Sequence, residues 1–360
     1  MAKTDHYYGL IMAGGRGTRF WPRSRRSSAK QVLRFTGENS LIQDTVERLR
    51  PIVPPERIWI LTNEYLRREI VRQLPQVPKA QILAEPAQRN TAPCIGLAAQ
   101  ILQSLDRDAI MGVFPADHVI AKPARFVRLL RPAFRAAAQG RIAVIGIQPR
   151  WAETGYGYIE FPRGTKPGAI EPAPVLRFRE KPDEETAREF VKAGNFFWNA
   201  GMFFWKTEVL LDALRRYQPK TATLLASLPA FGARGFDAKL RESFPRCENI
   251  SIDYAVLEKA PGIVGFAGDD FGWNDVGSWN AVYELLRRDE NGNALRSETV
   301  VRDSSGTYVD AGAKLVALIG VKNLVVVDTP DALLIADRER AQQVSEVVKI
   351  LEKRGREDLL

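Results

Sequence analysis

Tyr7-Tyr8-Gly9-Leu10-Ile11-Met12-Ala13-Gly14-Gly15-Arg16-Gly17-Thr18-Arg19-Phe20 is the stretch on which the reading of the whole chain turns. A largely apolar run from Tyr7 to Ala13 stops on glycines at 14, 15 and 17, which predicts a buried strand feeding a glycine-rich loop. Without a Cβ, such a loop lets main-chain N–H groups approach and cradle phosphate oxygens. Arg19, with Lys30 eleven residues beyond it, adds the fixed positive charge a polyphosphate needs. The Gly-Lys-Ser/Thr ending of a P-loop is missing, and Phe20 stands where a dinucleotide fingerprint has its third glycine. Neither common phosphate loop fits. The plain alternative is a glycine-rich turn between a strand and a helix, with surface charges.

Working outward, Leu41–Leu49 has helical spacing, Arg57–Thr62 reads as a strand, and Glu64–Leu74 as a helix. Residues 80–85 and 109–114 predict further strands, separated by an Ala-rich buried helix over Pro93–Leu105. Strand–helix alternation at this spacing argues for a doubly wound, mainly parallel sheet covered on both faces, with ligands beyond the carboxyl ends of its strands. The middle of the chain changes to short β-type runs at Arg141–Ile147, Gly157–Phe161, Val175–Arg179 and Gly201–Trp205, expected to extend the sheet and close over the first half. A helix over Ser278–Arg288 precedes Asp289-Glu290-Asn291-Gly292-Asn293-Ala294, a natural boundary. Closely spaced strands follow at Thr299–Val301, Thr307–Val309, Leu315–Ile319, Leu324–Val327 and Ala332–Ile335, then an amphipathic helix over Arg338–Lys353. The expected organisation is a catalytic domain over 1–289 and a small β-rich domain over 290–360.

Composition sets the class. In 360 residues, 45% are hydrophobic and 26% charged, which is ordinary for a globular protein and excludes disordered, collagen-like and coiled-coil chains. No apolar run approaches the roughly 18 residues of a membrane span, and MAKTDHYYGL has no signal-peptide pattern. Cys94 and Cys247 are the only cysteines, too few for a disulfide framework and consistent with a reducing, cytoplasmic setting. The formal charge of +9 attracts anions, but the basic residues are dispersed and mostly Arg. That favours small phosphorylated substrates over nucleic acid or a membrane.

Two carboxylates stand out. Phe114-Pro115-Ala116-Asp117-His118 places Asp117 after a buried strand, and Trp273-Asn274-Asp275-Val276-Gly277-Ser278-Trp279 holds Asp275. Both suit Mg²⁺, which binds through one or two carboxylates plus phosphates. Alone, each is also a turn former or helix cap, and His118 is read as orienting Asp117, binding phosphate or filling a structural position. Glu180-Lys181-Pro182, Trp198-Asn199-Ala200-Gly201 and Ser251-Ile252-Asp253-Tyr254-Ala255 set polar groups among apolar ones, as sugar hydroxyls require.

Taken in order, AGGRGTRFWP with Lys30, PADH, EKP, WNAG, SIDYA and WNDVGSW resemble the sugar-1-phosphate nucleotidylyltransferases over nearly the whole chain, and most of all their mannose-1-phosphate guanylyltransferase branch. The pair Lys30-Gln31 leans the same way. The resemblance implies a Rossmann-like nucleotidyltransferase domain followed by a short left-handed parallel β-helix segment, in proteins that are often homodimers. It implies GMP transfer from GTP to α-D-mannose 1-phosphate, giving GDP-mannose and pyrophosphate. Its nearest competitor is a relative using dTTP or UTP with glucose 1-phosphate. By the same resemblance Ala13, Gly14, Gly15, Gly17 and Thr18 cradle the triphosphate, Arg19 and Lys30 are catalytic, and Asp117 and Asp275 hold Mg²⁺. Glu85, Pro86, Asn90 and Thr91 belong to the guanine-reading segment, and Gly157, Glu180, Asn199 and Asp253 to the hexose site. Larger relatives add a phosphomannose isomerase domain; with two histidines, His6 and His118, that second activity is not expected here.

Overall fold

The first strand of the sheet is buried along both faces: Leu10 and Ile11 are 0% exposed and Tyr7 and Ala13 nearly so, which suits a central parallel strand. The computed structural model describes residues 6–360; residues 1–5, the start of the stretch read as lacking a signal peptide, lie outside the described residues. In chain order β1 (Tyr7–Ala13), α1 (Leu41–Leu49), β2 (Ile58–Thr62), α2 (Glu64–Gln73), β3 (Ile82–Ala84), α3 (Thr91–Leu105) and β4 (Ile110–Pro115) alternate strand and helix. Local signals explain the boundaries. Ser40 and Gln43 form a reciprocal cap on α1, and the Asn63 side chain accepts from the Leu66 N–H to start α2.

Then come β5 (Val119–Ile120), α4 (Pro123–Ala138), β6 (Ala143–Ile147), β7 (Tyr158–Glu160), β8 (Ala173–Pro174), β9 (Arg177–Arg179), α5 (Glu184–Ala193) and β10 (Phe196–Lys206). Helices α6 (Thr207–Tyr217), α7 (Pro219–Ala226) and α8 (Phe236–Ser243) lead to β11 (Val264–Gly268) and β12 (Trp273–Asn274). One 10-stranded sheet runs β3-β2-β1-β4-β10-β6-β11-β8, with β7 and β9 attached beside β10. β1, β2, β3 and β4 pair in parallel, and β10 is antiparallel to both β4 and β6. The sheet is therefore mixed and mainly parallel on the N-terminal side. Since β1 connects toward β2 and β3 while β4 flanks its other edge, the carboxyl ends of β1 and β4 bound a crevice at a topological switch point.

Two regions differ from the sequence reading. β10 is a single 11-residue strand, not the short run Gly201–Trp205. Asn199 interrupts its apolar pattern, and the chain accommodates this with a register shift between Asn199 and Phe203, Gly201 taking φ +68°. Helices α4 to α8 have no counterpart in that reading. α4 carries Pro132 inside it, a residue that reads as a breaker.

After α9 (Trp279–Leu285), strands β13 (Ala294–Leu295), β14 (Thr299–Arg302), β15 (Tyr308–Asp310), β16 (Val316–Ile319), β17 (Leu324–Asp328) and β18 (Leu333–Asp337) lead into α10 (Val344–Lys353). β13, β15 and β17 stack in parallel, while β14 and β16 form a second parallel pair. Successive strands thus alternate between two stacks around Val309, Ala311, Leu318 and Val326, a β-helix-like winding. This unit rests on the segment just past the glycine loop. Phe20, Trp21, Phe35, Trp279, Tyr308 and Val325 share one core. The Trp279 indole donates to the Trp21 carbonyl at 3.1 Å, and the Trp21 indole to the Leu359 carbonyl at 3.0 Å.

No helix among the described residues is long and apolar enough to cross a membrane. Because Trp279 is 0% exposed in the shared core, Trp279→Ala should lower stability by about 3–5 kcal/mol. Urea unfolding measures this, and a loss below about 1 kcal/mol would show that the core is not shared.

Candidate active site

A cleft of about 800 Å³ opens above the carboxyl ends of β1 and β4. Gly14, Gly15 and Arg16 line it from the glycine loop, and Glu85, Gln88, Arg89, Asn90, Thr91 and Cys94 from the segment around the start of α3. Pro115 and His118 contribute from beyond β4, Gly155, Tyr156 and Gly157 from the turn before β7, and Asn199 and Gly201 from the register shift in β10. Met12, Glu180, Ala200, Phe203, Asn249, Asp253, Trp273 and Asp275 complete the wall.

Lys30 lies behind this wall, in a short 3₁₀ turn over Lys30–Val32, and is 7% exposed. Its Nζ is 2.8 Å from Asp117 Oδ2 and 2.5 Å from the Asp275 carbonyl oxygen. One ammonium thus joins two segments far apart in the chain. Room for it comes from Gly17, at φ +62°, where a Cβ would sit 2.7 Å from the Lys30 Cβ and N. On the other side Val276 takes φ +48°, costly for a β-branched residue, with its N–H held at 2.7 Å by Asn274 Oδ1. Burial by itself would raise the Asp117 carboxyl, but the Lys30 ammonium outweighs it and the carboxyl lies below its usual range. Asp275 Oδ1 accepts from the Tyr156 hydroxyl at 2.6 Å.

His118 is neutral. Burial pulls its imidazole down to about 4, and Nδ1 accepts from the Trp273 indole at 3.1 Å, which leaves the proton on Nε2. Nε2 is 3.9 Å from Asp117 Oδ1, too far for a hydrogen bond.

The rest of the loop also reaches the C-terminal unit, while Arg19 Nη1 stays near the Asp275 carboxylate, both lying within 3.5 Å of where a Cβ on Gly277 would stand. Thr18 lines a small hollow with Arg16, Trp21, Arg25 and Val348. Arg19 Nη1 donates to Gln342 Oε1 at 2.9 Å, and Arg16 Nη2 to Glu352 Oε1 at 2.6 Å. Of the residues assigned to the triphosphate, Gly14 and Gly15 are on the cleft wall, whereas Ala13, Gly17, Thr18, Arg19 and Lys30 are not. Asp117 and Pro86 are also off it.

The opposite walls carry buried carboxyls. Burial raises Glu85 to about 7, against a small pull from the Cys94 thiol; its Oε2 would lie 3.2 Å from a Cβ placed on Gly14. Asn90, at φ +64°, caps α3 through the Thr91 N–H at 2.9 Å, and the Thr91 hydroxyl accepts from the Ile252 N–H at 2.8 Å. Gly157, Glu180, Asn199 and Asp253 form one group. Asn199 Nδ2 donates to Asp253 Oδ1 at 2.9 Å, and any Cβ on Gly157 would run into Glu180 Oε2. Burial, then the Glu180 charge, raises Asp253 to about 7. Tyr156 and Asn249 also line the cleft without being assigned to the site by the sequence reading, and Arg89 lines it from within the guanine-reading segment. For Tyr156 the signal is present: an aromatic ring between Gly155 and Gly157.

Among the described residues no group of three or more His, Cys, Asp or Glu side chains is arranged to hold a metal ion. Lys30 takes one oxygen of Asp117, and Tyr156 one of Asp275. The remaining oxygens fit a hard divalent cation that completes its shell with phosphate and water. They do not fit a resident ion held by protein alone.

The clearance at Gly17 can be tested by filling it. Gly17→Ala should displace Lys30, lower kcat by at least about tenfold and also lower the unfolding midpoint, because alanine is strained at this positive φ; unchanged kcat would detach Gly17 from the lysine. Glu85 and Asp253, raised from 4.5 and 3.8 to about 7, keep protons in the folded state that the unfolded chain loses near pH 4. The folded state binds more protons, so these groups favour folding below about pH 4 and lose that contribution as pH rises to about 7. Comparing thermal midpoints of Glu85→Gln and Asp253→Asn with the parent over this range should show the parent losing ground as pH rises; parallel curves would rule out the raised values.

Comparison with known proteins agrees with this geometry. The nucleotidyl transferase family model matches residues 8–292, and a model for the MannoseP isomerase/GMP-like beta-helix domain matches residues 297–351. The mannose-1-phosphate guanylyltransferase of Klebsiella pneumoniae is 39% identical over 353 residues, covering 97% of this chain and 74% of the relative. The xanthan biosynthesis protein XanB of Xanthomonas campestris is 39% identical with the same coverage. A crystal structure from Thermus thermophilus, described as a mannose-1-phosphate geranyltransferase, matches with a TM-score of 0.84 at 33% identity, over 96% of this chain and 99% of that one. A loop-and-lysine site of this kind, on this sheet and with these relatives, places the chain in the nucleotidyl transferase family, on its mannose-1-phosphate guanylyltransferase branch.

Proposed function

We propose that this enzyme transfers GMP from GTP to α-D-mannose 1-phosphate, giving GDP-mannose and pyrophosphate. The observation that carries the reading is the buried Lys30 ammonium between Asp117 and Asp275, set behind a cleft with a glycine turn on one wall and the Glu180–Asn199–Asp253 group on another. A phosphate oxygen of the sugar phosphate attacks the α-phosphorus in line. It is already ionised at neutral pH, so no general base is needed, in keeping with a neutral His118 whose Nδ1 is occupied. Catalysis then rests on positioning and on neutralising charge as it builds. Gly14 and Gly15 present main-chain N–H groups to the triphosphate, and Lys30 stabilises the reacting phosphates. Arg19, whose Nη1 donates to Gln342 Oε1 at 2.9 Å and lies near the Asp275 carboxylate, meets the departing pyrophosphate.

Asp117 and Asp275 would hold Mg²⁺, which would supply charge neutralisation and orientation of the phosphates. Glu85, as carboxylate, accepts from the N1 and N2 donors of guanine. Glu180, Asn199 and Asp253 meet the mannose hydroxyls. This chemistry needs neither nucleic acid nor a membrane surface, and we place it in the cytoplasm. The names of the relatives weigh against dTTP or UTP with glucose 1-phosphate.

Pyrophosphate release should be fastest with GTP and mannose 1-phosphate across a panel of GTP, ATP, UTP and dTTP, each with mannose 1-phosphate or glucose 1-phosphate. A preference for dTTP or UTP with glucose 1-phosphate would overturn the proposal. Lys30→Ala should lower kcat roughly a hundred- to thousandfold. Glu180→Gln should raise the KM for mannose 1-phosphate and leave that for GTP nearly unchanged; equal effects would remove it from the sugar site.

A further inference from the structure

Gln31, the neighbour of Lys30, has no part in the chemistry above, yet its side chain is 3% exposed and fully engaged. Its Nε2 donates to the Ala13 carbonyl at 2.6 Å and to the Gly15 carbonyl at 3.1 Å. The Thr62 hydroxyl also donates to Ala13, at 3.0 Å, and Asn63 Nδ2 to the Gly14 carbonyl at 3.3 Å. Three successive carbonyls of the turn are therefore tied back. In a trans peptide the C=O and the next N–H point in opposite directions. Drawing in the carbonyls of 13, 14 and 15 turns the N–H groups of Gly14, Gly15 and Arg16 toward the cleft these residues line. Among the described residues no backbone carbonyl accepts from those N–H groups.

We infer that Gln31 is the positioning residue of the phosphate cradle. Both protons of its amide are spent on carbonyls, so one side chain fixes which way the N–H groups of the turn face. It shares a 3₁₀ turn with Lys30, so a single short segment sets both the cradle and the buried cation. The inference rests on the reading of the cleft as a triphosphate site and adds the residue that shapes it. A carboxylate of the same shape has no proton to donate and would set negative charge against two carbonyl oxygens. A thioether keeps only the shape.

Gln31→Glu and Gln31→Met test this through KM for GTP, competitive inhibition by inorganic tripolyphosphate, and KM for mannose 1-phosphate. The GTP KM and the tripolyphosphate inhibition constant should rise about ten- to a hundredfold, more for Glu than for Met, with the mannose 1-phosphate KM within about twofold. Unchanged affinity for GTP and tripolyphosphate, or equal weakening of both substrates, would overturn the role. Should either variant fail to fold, Thr62→Val, which removes only the hydroxyl tie to Ala13, must show a smaller rise with the same split between substrates; no split overturns the role. Turnover of the parent enzyme separates the two levels. A parent inactive with GTP refutes the triphosphate site, whereas an active parent with normal variants refutes only Gln31.

Discussion

A lysine ammonium shut away from solvent, within hydrogen-bond reach of an aspartate oxygen and a distant main-chain carbonyl, is the constraint around which this molecule is built. Removing an ammonium from water is costly, and its attraction to the partly exposed Asp117 carboxylate offsets that cost only when the geometry is good. The surroundings of Lys30 are arranged for that end. Gly17 clears space on one side and the left-handed turn at Val276 delivers the Asp275 carbonyl on the other. A site assembled this way has its charges oriented before substrate arrives, which is where electrostatic catalysis draws most of its advantage.

The β-helix-like unit belongs to the same device. It holds the chain just past the glycine turn from outside, through a buried aromatic cluster and the Trp21 indole bond to the Leu359 carbonyl. Ion pairs such as Arg16–Glu352 and Arg25–Asp331, whose carboxylates are 34% and 47% exposed, contribute little individually. Their effect is directional: they fix where the loop arginines lie. The sheet supports the turn from beneath and the C-terminal unit from beside, so a loop rich in glycine is nonetheless held in one shape.

Much of this was legible in residues 7–20, because an apolar run ending on glycines admits few structures. The alternation that follows reads as a parallel sheet for the same reason. Legibility failed where one residue contradicts its surroundings, as Pro132 does within α4 and Asn199 within β10. It failed also on direction. Arg19 and Thr18 sit in the motif beside Gly15, but where their side chains lie is set by packing against the C-terminal unit, not by the motif. Asn249 reaches the cleft through tertiary contacts to which no spacing rule points.

The most direct test of the central claim is a double-mutant cycle on kcat/KM with Lys30→Met, Asp117→Asn and the combined variant. If the ammonium and the carboxylate act as one unit, the second substitution should cost far less in the background of the first than it does alone. Losses that simply multiply would show two independent groups, and the account of a single charged node would be wrong.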